Sequence, residues 1–447
     1  MTRTGTQALA LSACLAFSEC VWGATLASSA PTFAKNIAPI LQEKCQNCHR
    51  AGSMAPMSLV TYEETRPWAK SIKERVVTRN MPPWHLDKTV GIQHFQNDIS
   101  LSDEQIALIA RWVDAGAPLG DVKDMPPAKQ WPIDDGWQLQ KQFGKPDFIL
   151  KSEPYTMAAK GQDVWFKPLT PIPVTEPRWV RAVEMRPATL AGRRITHHAL
   201  AFLQQEEPGS TAGLVTQGLL MEWAINKNYD IYRPNTGKLL LPGSRIWWEM
   251  HYHAAGEEIR DHVELAVYLY PKGEEPKYRT LLTGFPATPG TAGFGQLDIP
   301  PNQIVETEGY TALRAPARLE NFQPHMHLRG KAMLIEAILP DGSRRTLSFV
   351  DHFNFNWMTN YIYADEAAPV LPKGTIIHVV AWHDNTSNNR NNPDPSQWVG
   401  WGDRTVDEMA HAWVNVTYIS EADYQDWVAR HNGKPLAGAG PDAATTN

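Results

Sequence analysis

Residues 246–256 read IWWEMHYHAAG, and the character of this stretch sets the reading of the larger part of the chain. Aromatic and β-branched side chains favour extended backbone because they pack well on a pleated surface. The stretch lies in a long region, from about residue 148 onward, of short runs rich in Val, Ile, Tyr and Trp. Gly, Pro and Asn interrupt those runs at 242–243, 271–273, 289–290, 300–302, 340–342 and 372–374. Frequent strands with turn signals and few helical patterns predict antiparallel β-sandwiches, and roughly 280 residues are enough for two of them.

The same stretch carries His251 and His253. Two further clusters lie in the region: His197-His198 in RRITHHALAFL (193–203), and His325 with His327 in NFQPHMHLRGKAM (321–333). The chain holds 15 histidines. At that content any one such spacing is expected by chance about half a time, so the argument rests on three clusters sharing one strand-rich region. Residues i and i+2 of a strand face the same side, so His325 and His327 can grip one metal. Adjacent His197 and His198 point to opposite faces of a regular strand. They can share a metal only at a strand end or twist, with the rings spread widely, which copper tolerates better than tetrahedral zinc.

Upstream, Cys45-Gln46-Asn47-Cys48-His49 is a complete C-x-x-C-H. Two thiols at this spacing can form thioethers to both vinyl groups of one haem, and the adjacent His supplies an axial imidazole from the same turn. A redox dithiol or half a zinc site leaves the His unexplained, and no second Cys pair exists for zinc. Of the four cysteines, Cys14 and Cys20 fall in the expected signal segment, so Cys45 and Cys48 are the only thiols left. Residues 33–44 and 102–115 are predicted helices. The second opens on a capping box, Ser102 with Gln105, closes at Gly116 with Pro118 beyond, and has Ile106, Ile109, Ala110 and Val113 on its apolar face. Two such helices around the motif resemble the small single-haem cytochromes c. Met81, stiffened by Pro82 and Pro83, is the favoured distal ligand, with Met54, Met57 and His85 as alternatives.

At the N-terminus, Arg3, the apolar run 8–17 (ALALSACLAF) and small residues at Gly23, Ala24 and Ala27 read as a secretory signal, and the run is too short to span a bilayer. A lipoprotein box at Leu11-Ser12-Ala13-Cys14 is the lesser reading. The chain is therefore expected in the periplasm or outside the cell. Acidic residues outnumber basic ones, 48 to 42, for a net charge of −6, and no Lys/Arg cluster offers a nucleic-acid surface. Residues 123–147 hold four prolines and no period, as expected of a linker that lets its neighbours dock briefly. The resulting map is a signal at 1–27, an all-α unit at 31–122, the linker, β-sandwiches at 148–286 and 287–425, and a tail at 426–447.

The second region resembles the copper type II, ascorbate-dependent monooxygenases, the family of peptidylglycine α-hydroxylating and dopamine β-monooxygenases. The motifs that carry the likeness are His197-His198, Glu249-Met250-His251-Tyr252, His325-Met326-His327-Leu328-Arg329-Gly330-Lys331 and Asp407-Glu408-Met409, with Phe353-Asn354-Phe355-Asn356-Trp357 similar to a family strand. It spans about residues 148–420. The resemblance implies two jelly-roll sandwiches with one copper each. His197, His198 and His251 would hold an electron-passing copper. His325, His327 and Met409 would hold the one that activates dioxygen, with His253 a neighbour rather than a ligand. It implies hydroxylation of a C–H bond on a small organic substrate, with an ascorbate-like reductant or redox protein as donor. One covalent haem would then feed electrons to the copper of His197, His198 and His251. Three departures are plain: the disulfides of the animal members are missing, Gln323 stands where peptide-amidating enzymes carry a carboxylate-clasping Arg, and His411 and Trp413 replace their Asn and Tyr. A glycine-extended peptide would lack its anchor. The rival expectation is a haem and copper electron-transfer or carrier protein without hydroxylase activity.

Overall fold

The computed structural model describes residues 30–51, 53, 55–130, 136–206, 215–224, 227–289 and 297–431. The expected signal, Cys14, Cys20 and Met54 lie outside the described residues. Helices are few and short. The helix expected over 33–44 forms as a π turn, Phe33–Ile37, running into Ala38–Lys44. The one expected over 102–115 forms as Asp103–Asp114. Both halves of its capping box are made: the Ser102 hydroxyl accepts from the Gln105 N–H at 3.2 Å, and the Gln105 side chain accepts from the Ser102 N–H at 2.9 Å. Ile109 and Trp112 are its fully buried residues, while Ile106, Ala110 and Val113 are half-covered. The Trp112 indole donates to the Pro118 carbonyl at 3.0 Å, which lets a large ring enter the core with its polar atom satisfied.

An all-α unit over 31–122 does not stand apart. Beyond Met81 the chain leaves the helices and lies on the second β half, where Trp84, Leu86 and Ile92 share a core with Phe322, Met333 and Tyr361. Its backbone is tied there as well: the N–H groups of Asp87, Ile92 and Gln96 donate to the carbonyls of Phe349, Leu347 and Ile362 at 2.8–2.9 Å. Trp84 meets Tyr361 edge-on at 4.8 Å, and Phe95 stacks on Tyr363 at 5.4 Å. An arm without helical period buries its few large apolar side chains by adopting a partner's edge, which also satisfies its backbone donors.

The expected linker is pinned at its far end. Leu139 is buried with Ala182, Ala266 and Tyr268, and the Glu184 carboxylate accepts from the N–H groups of Gln138 and Leu139 at 2.9 and 3.0 Å. A short helix, Gln140–Phe143, follows.

From Phe148 the regular elements are almost all strands, and nearly all pairing is antiparallel, as the sequence predicts. The two halves are not closed off from each other. Strand Tyr278–Pro286 pairs with Ala410–Tyr418 from Thr280 to Pro286 and also touches Val215–Ala224, so one sheet passes through both. A separate four-stranded sheet runs in the order Ile304–Ala312, Ile376–Asp384, Gly330–Ile338, Arg344–Val350. Each half keeps its own apolar core, one around Met185, Trp248 and Leu265, the other around Phe322, Met333 and Val379. The tail expected from 426 begins inside a helix, Glu421–Arg430. Among the described residues no helix is long and apolar enough to cross a membrane.

Candidate metal centre

Strand Thr196–Gln205 pairs with Arg245–Tyr252. The register sets His251 opposite His198 and then Tyr252 opposite Thr196, so His197 is an extra residue in a bulge. A bulge turns consecutive side chains toward one side, which answers the difficulty that adjacent histidines pose in a regular strand. The ring centres of His197 and His198 lie 5.0 and 5.1 Å from that of His251, and one donor atom from each of the three lies within 4.8 Å of the others. Among the described residues, neither nitrogen of His197 nor Nδ1 of His198 has a hydrogen-bond partner. Buried imidazole nitrogens left without partners fit a metal.

Neighbours hold these rings. Trp165 stacks on His251 at 4.3 Å and Phe355 on His197 at 4.6 Å. His251 Nε2 donates to Asp163 Oδ2 at 2.8 Å, and the Thr405 hydroxyl donates to the same oxygen at 3.1 Å. The hydrogen bond from His251 holds the Asp163 carboxyl below its ordinary range. A carboxylate on one imidazole nitrogen leaves the other, Nδ1, to face a metal. Phe355 sits in a turn, where the resemblance implied a strand: Asn354 Oδ1 accepts from the Asn356 N–H at 3.1 Å. Asn side chains favour such local bonds over a strand ladder.

The second group is built on Asn321–Met326, which pairs with Ala410–Tyr418 so that His325 faces His411 and Gln323 faces Trp413. His325 and His411 stack at 4.6 Å, and the His325 and His327 rings are 5.5 Å apart. Glu408, fully buried, clamps the turn after them: its carboxylate accepts from the N–H groups of His327, Arg329 and Met409 at 2.8, 2.5 and 3.3 Å. Burial nevertheless pushes its carboxyl up to about 7. Arg329 is buried beside it and donates to Asn385 Oδ1 and the Val406 carbonyl. Thus one acid ties Asp407-Glu408-Met409 to the H-x-H turn. His327 Nδ1 bonds the Asp407 carbonyl at 3.1 Å, leaving Nε2 for a metal.

Burial keeps the imidazoles of His197, His198, His325, His327 and His411 neutral, the form that ligates metals. It pulls His197 and His411 down to about 3 and His327 to about 4, and holds His198 and His325 well below the ordinary range, with neighbouring imidazoles adding to the effect. The two ligand groups, expected in separate sandwiches, meet. His198, His251, His325, His327, Met409 and His411 line one cavity of about 150 Å³, and the His198 and His325 rings are 6.2 Å apart. The continuous sheet is the reason. His253 stays outside the three-histidine group, its N–H bonded to the Ile195 carbonyl. Sequence reasoning missed Asp163 and His383, whose Nε2 lies 3.4 Å from the Met409 carbonyl, and gave His411 no ligand role.

At the other end of the chain, Cys45, Cys48 and His49 lie in one turn: the N–H groups of Cys48 and His49 both donate to the Cys45 carbonyl. His49 Nδ1 faces the Met57 carbonyl at 3.3 Å, which leaves Nε2 for an iron. Burial pushes the Cys45 thiol up to about 12 and raises that of Cys48. Met57 packs with Cys45 on the helix core, whereas Met81 lines a different small pocket with Val76, Trp84 and Leu101. The His85 N–H donates to the Tyr361 hydroxyl, which draws that residue to the β half.

The sequence matches no protein-family model and no curated protein. Among solved structures, the chain is similar to the major capsid protein P2 from bacteriophage PM2, at 13% identity over 61% of this chain and 97% of that one, with a TM-score of 0.24. It is also similar to the VP2 subviral particle of infectious bursal disease virus, at 11% identity over 66% and 75%, TM-score 0.19. A third is a putative alpha-L-fucosidase from Bacteroides ovatus, at 8% identity over 65% and 40%, TM-score 0.17. Likenesses this weak carry no argument about fold or function.

Proposed function

We propose that this chain is an exported copper monooxygenase of the ascorbate-dependent, copper type II kind, with two sandwich-like copper halves and a cytochrome c-like N-terminal segment. It hydroxylates a C–H bond of a small organic substrate with dioxygen, and a haem carried by Cys45, Cys48 and His49 relays single electrons from an outside donor. The observation that carries the reading is the gathering of His197, His198 and His251 within 4.8 Å, next to His325, His327 and Met409 in one cavity. Copper held there would supply the one-electron redox chemistry that lets dioxygen attack an unactivated C–H bond.

The protein's part is preparation. The bulge at His197 aims two consecutive imidazoles inward, Asp163 fixes which His251 nitrogen is offered, and Glu408 holds His327 and Met409 to one another. Two imidazoles and a thioether suit the reduced ion, and three imidazoles suit one that cycles between oxidation states. Metal and haem analysis of the purified chain tests this reading: two coppers and one covalent haem, with oxygen-18 from labelled dioxygen entering a product, are expected. Oxygen uptake without a labelled product would replace it with an electron-transfer protein, and a chain binding no copper would end it.

A further inference from the structure

We infer that the cavity takes a neutral, apolar molecule of about the size of one substituted benzene ring. The inference rests on the monooxygenase reading only for calling that molecule a substrate. Apart from the histidines, Met409 and three polar residues, the lining is aromatic or aliphatic: Trp165, Leu200, Phe202, Phe355, Trp401 and Trp413. The three polar residues are already bonded. Glu249 and Asp403 both pair with Lys167, at 2.7 and 3.2 Å, and the Thr405 hydroxyl donates to Asp163. Among the described residues, no lysine or arginine lines the space. The one ammonium at its edge answers two carboxylates, so the rim is net acidic and rejects an anion. Gln323, at the position where an anion anchor would stand, is buried, with its amide donating to the Met358 carbonyl at 3.3 Å.

Size and surface then select the ligand. An apolar cavity of about this volume takes up benzene, and the aromatic part of this lining adds the offset and edge-on contacts that rings favour. A cation would gain from the net acidic rim only by displacing Lys167 from two carboxylates, and otherwise enters unpaired.

The test uses the full chain, copper-loaded and copper-free, with 4-fluorotoluene, 4-fluorobenzoate and 4-fluorobenzylamine as probes followed by fluorine NMR. Saturable binding of the toluene is expected, with both charged probes at least about tenfold weaker. No saturable toluene binding, or equal binding of either charged probe, overturns the inference. Leu200→Trp fills the space and should abolish toluene binding. Trp401→Ala, at the partly exposed edge and safer for folding, should weaken it by about fivefold. Unchanged affinity in a folded variant of both kinds also overturns it. Copper content measured on the same samples reports on the metal reading separately.

Discussion

The imidazole of His251 is held on two sides, by the face of Trp165 and by the carboxylate of Asp163 at 2.8 Å. A carboxylate in this position fixes the tautomer and makes the ring a better donor, and its loss costs about 10- to 100-fold in metal affinity. If copper binds as proposed, Asp163→Asn should therefore weaken it by that range in a chelator competition while leaving the proposed covalent haem in place; unchanged affinity would show that Trp165 alone orients the ring. Asp163 could not have been read from the sequence. It stands 88 positions from His251 and belongs to no spacing that chemistry dictates. The histidines could, because metal ligands repeat at intervals set by strand geometry. Glu408 falls between: its place before Met409 was visible, but not that its carboxylate would collect three backbone N–H groups.

At the scale of elements, local rules read well where the bonds are local. The capping box at Ser102 and Gln105 is a contact between residues three apart, and it forms as the sequence predicts. The bulge at His197 is not local, since the extra residue is defined only against the strand holding His251. The turn Asn354–Asn356 replaces an expected strand for a related reason: Phe355 is wanted on His197, and a turn presents it there. Gly330 shows how tight the second group is. A Cβ added at this position would come within 2.6 Å of Met326 Cβ and 2.7 Å of a Phe353 ring carbon. Gly330→Ala should cost about 2 kcal/mol by forcing the H-x-H turn away from its partners. A denaturant melt measures that loss, and copper stoichiometry should fall with it. An unchanged midpoint would mean that Phe353 yields without cost.

At the scale of the molecule, the sequence suggested beads on a string, because prolines and a lack of period mark the stretch 123–147. What it could not show is where unperiodic segments find their partners. Residues 84–99 are built into the second β half through Trp84, Phe95 and a set of backbone bonds, so the segment with the C-x-x-C-H motif is anchored to the half that carries His325. Docking that was expected to be brief and salt-sensitive becomes part of the fold, and apolar burial of this kind is insensitive to ionic strength. Helices and sheets should then unfold in one step: absorbance of the proposed haem and far-ultraviolet dichroism should give the same midpoint at low and high salt. Trp84→Ala, which leaves a hole against Tyr361, should remove about 3 kcal/mol and split the transition, the haem signal melting first. If the signal of the proposed haem already melts separately in the unaltered chain, the arm is a loose contact, and the proposed electron path to the cavity runs through transient docking.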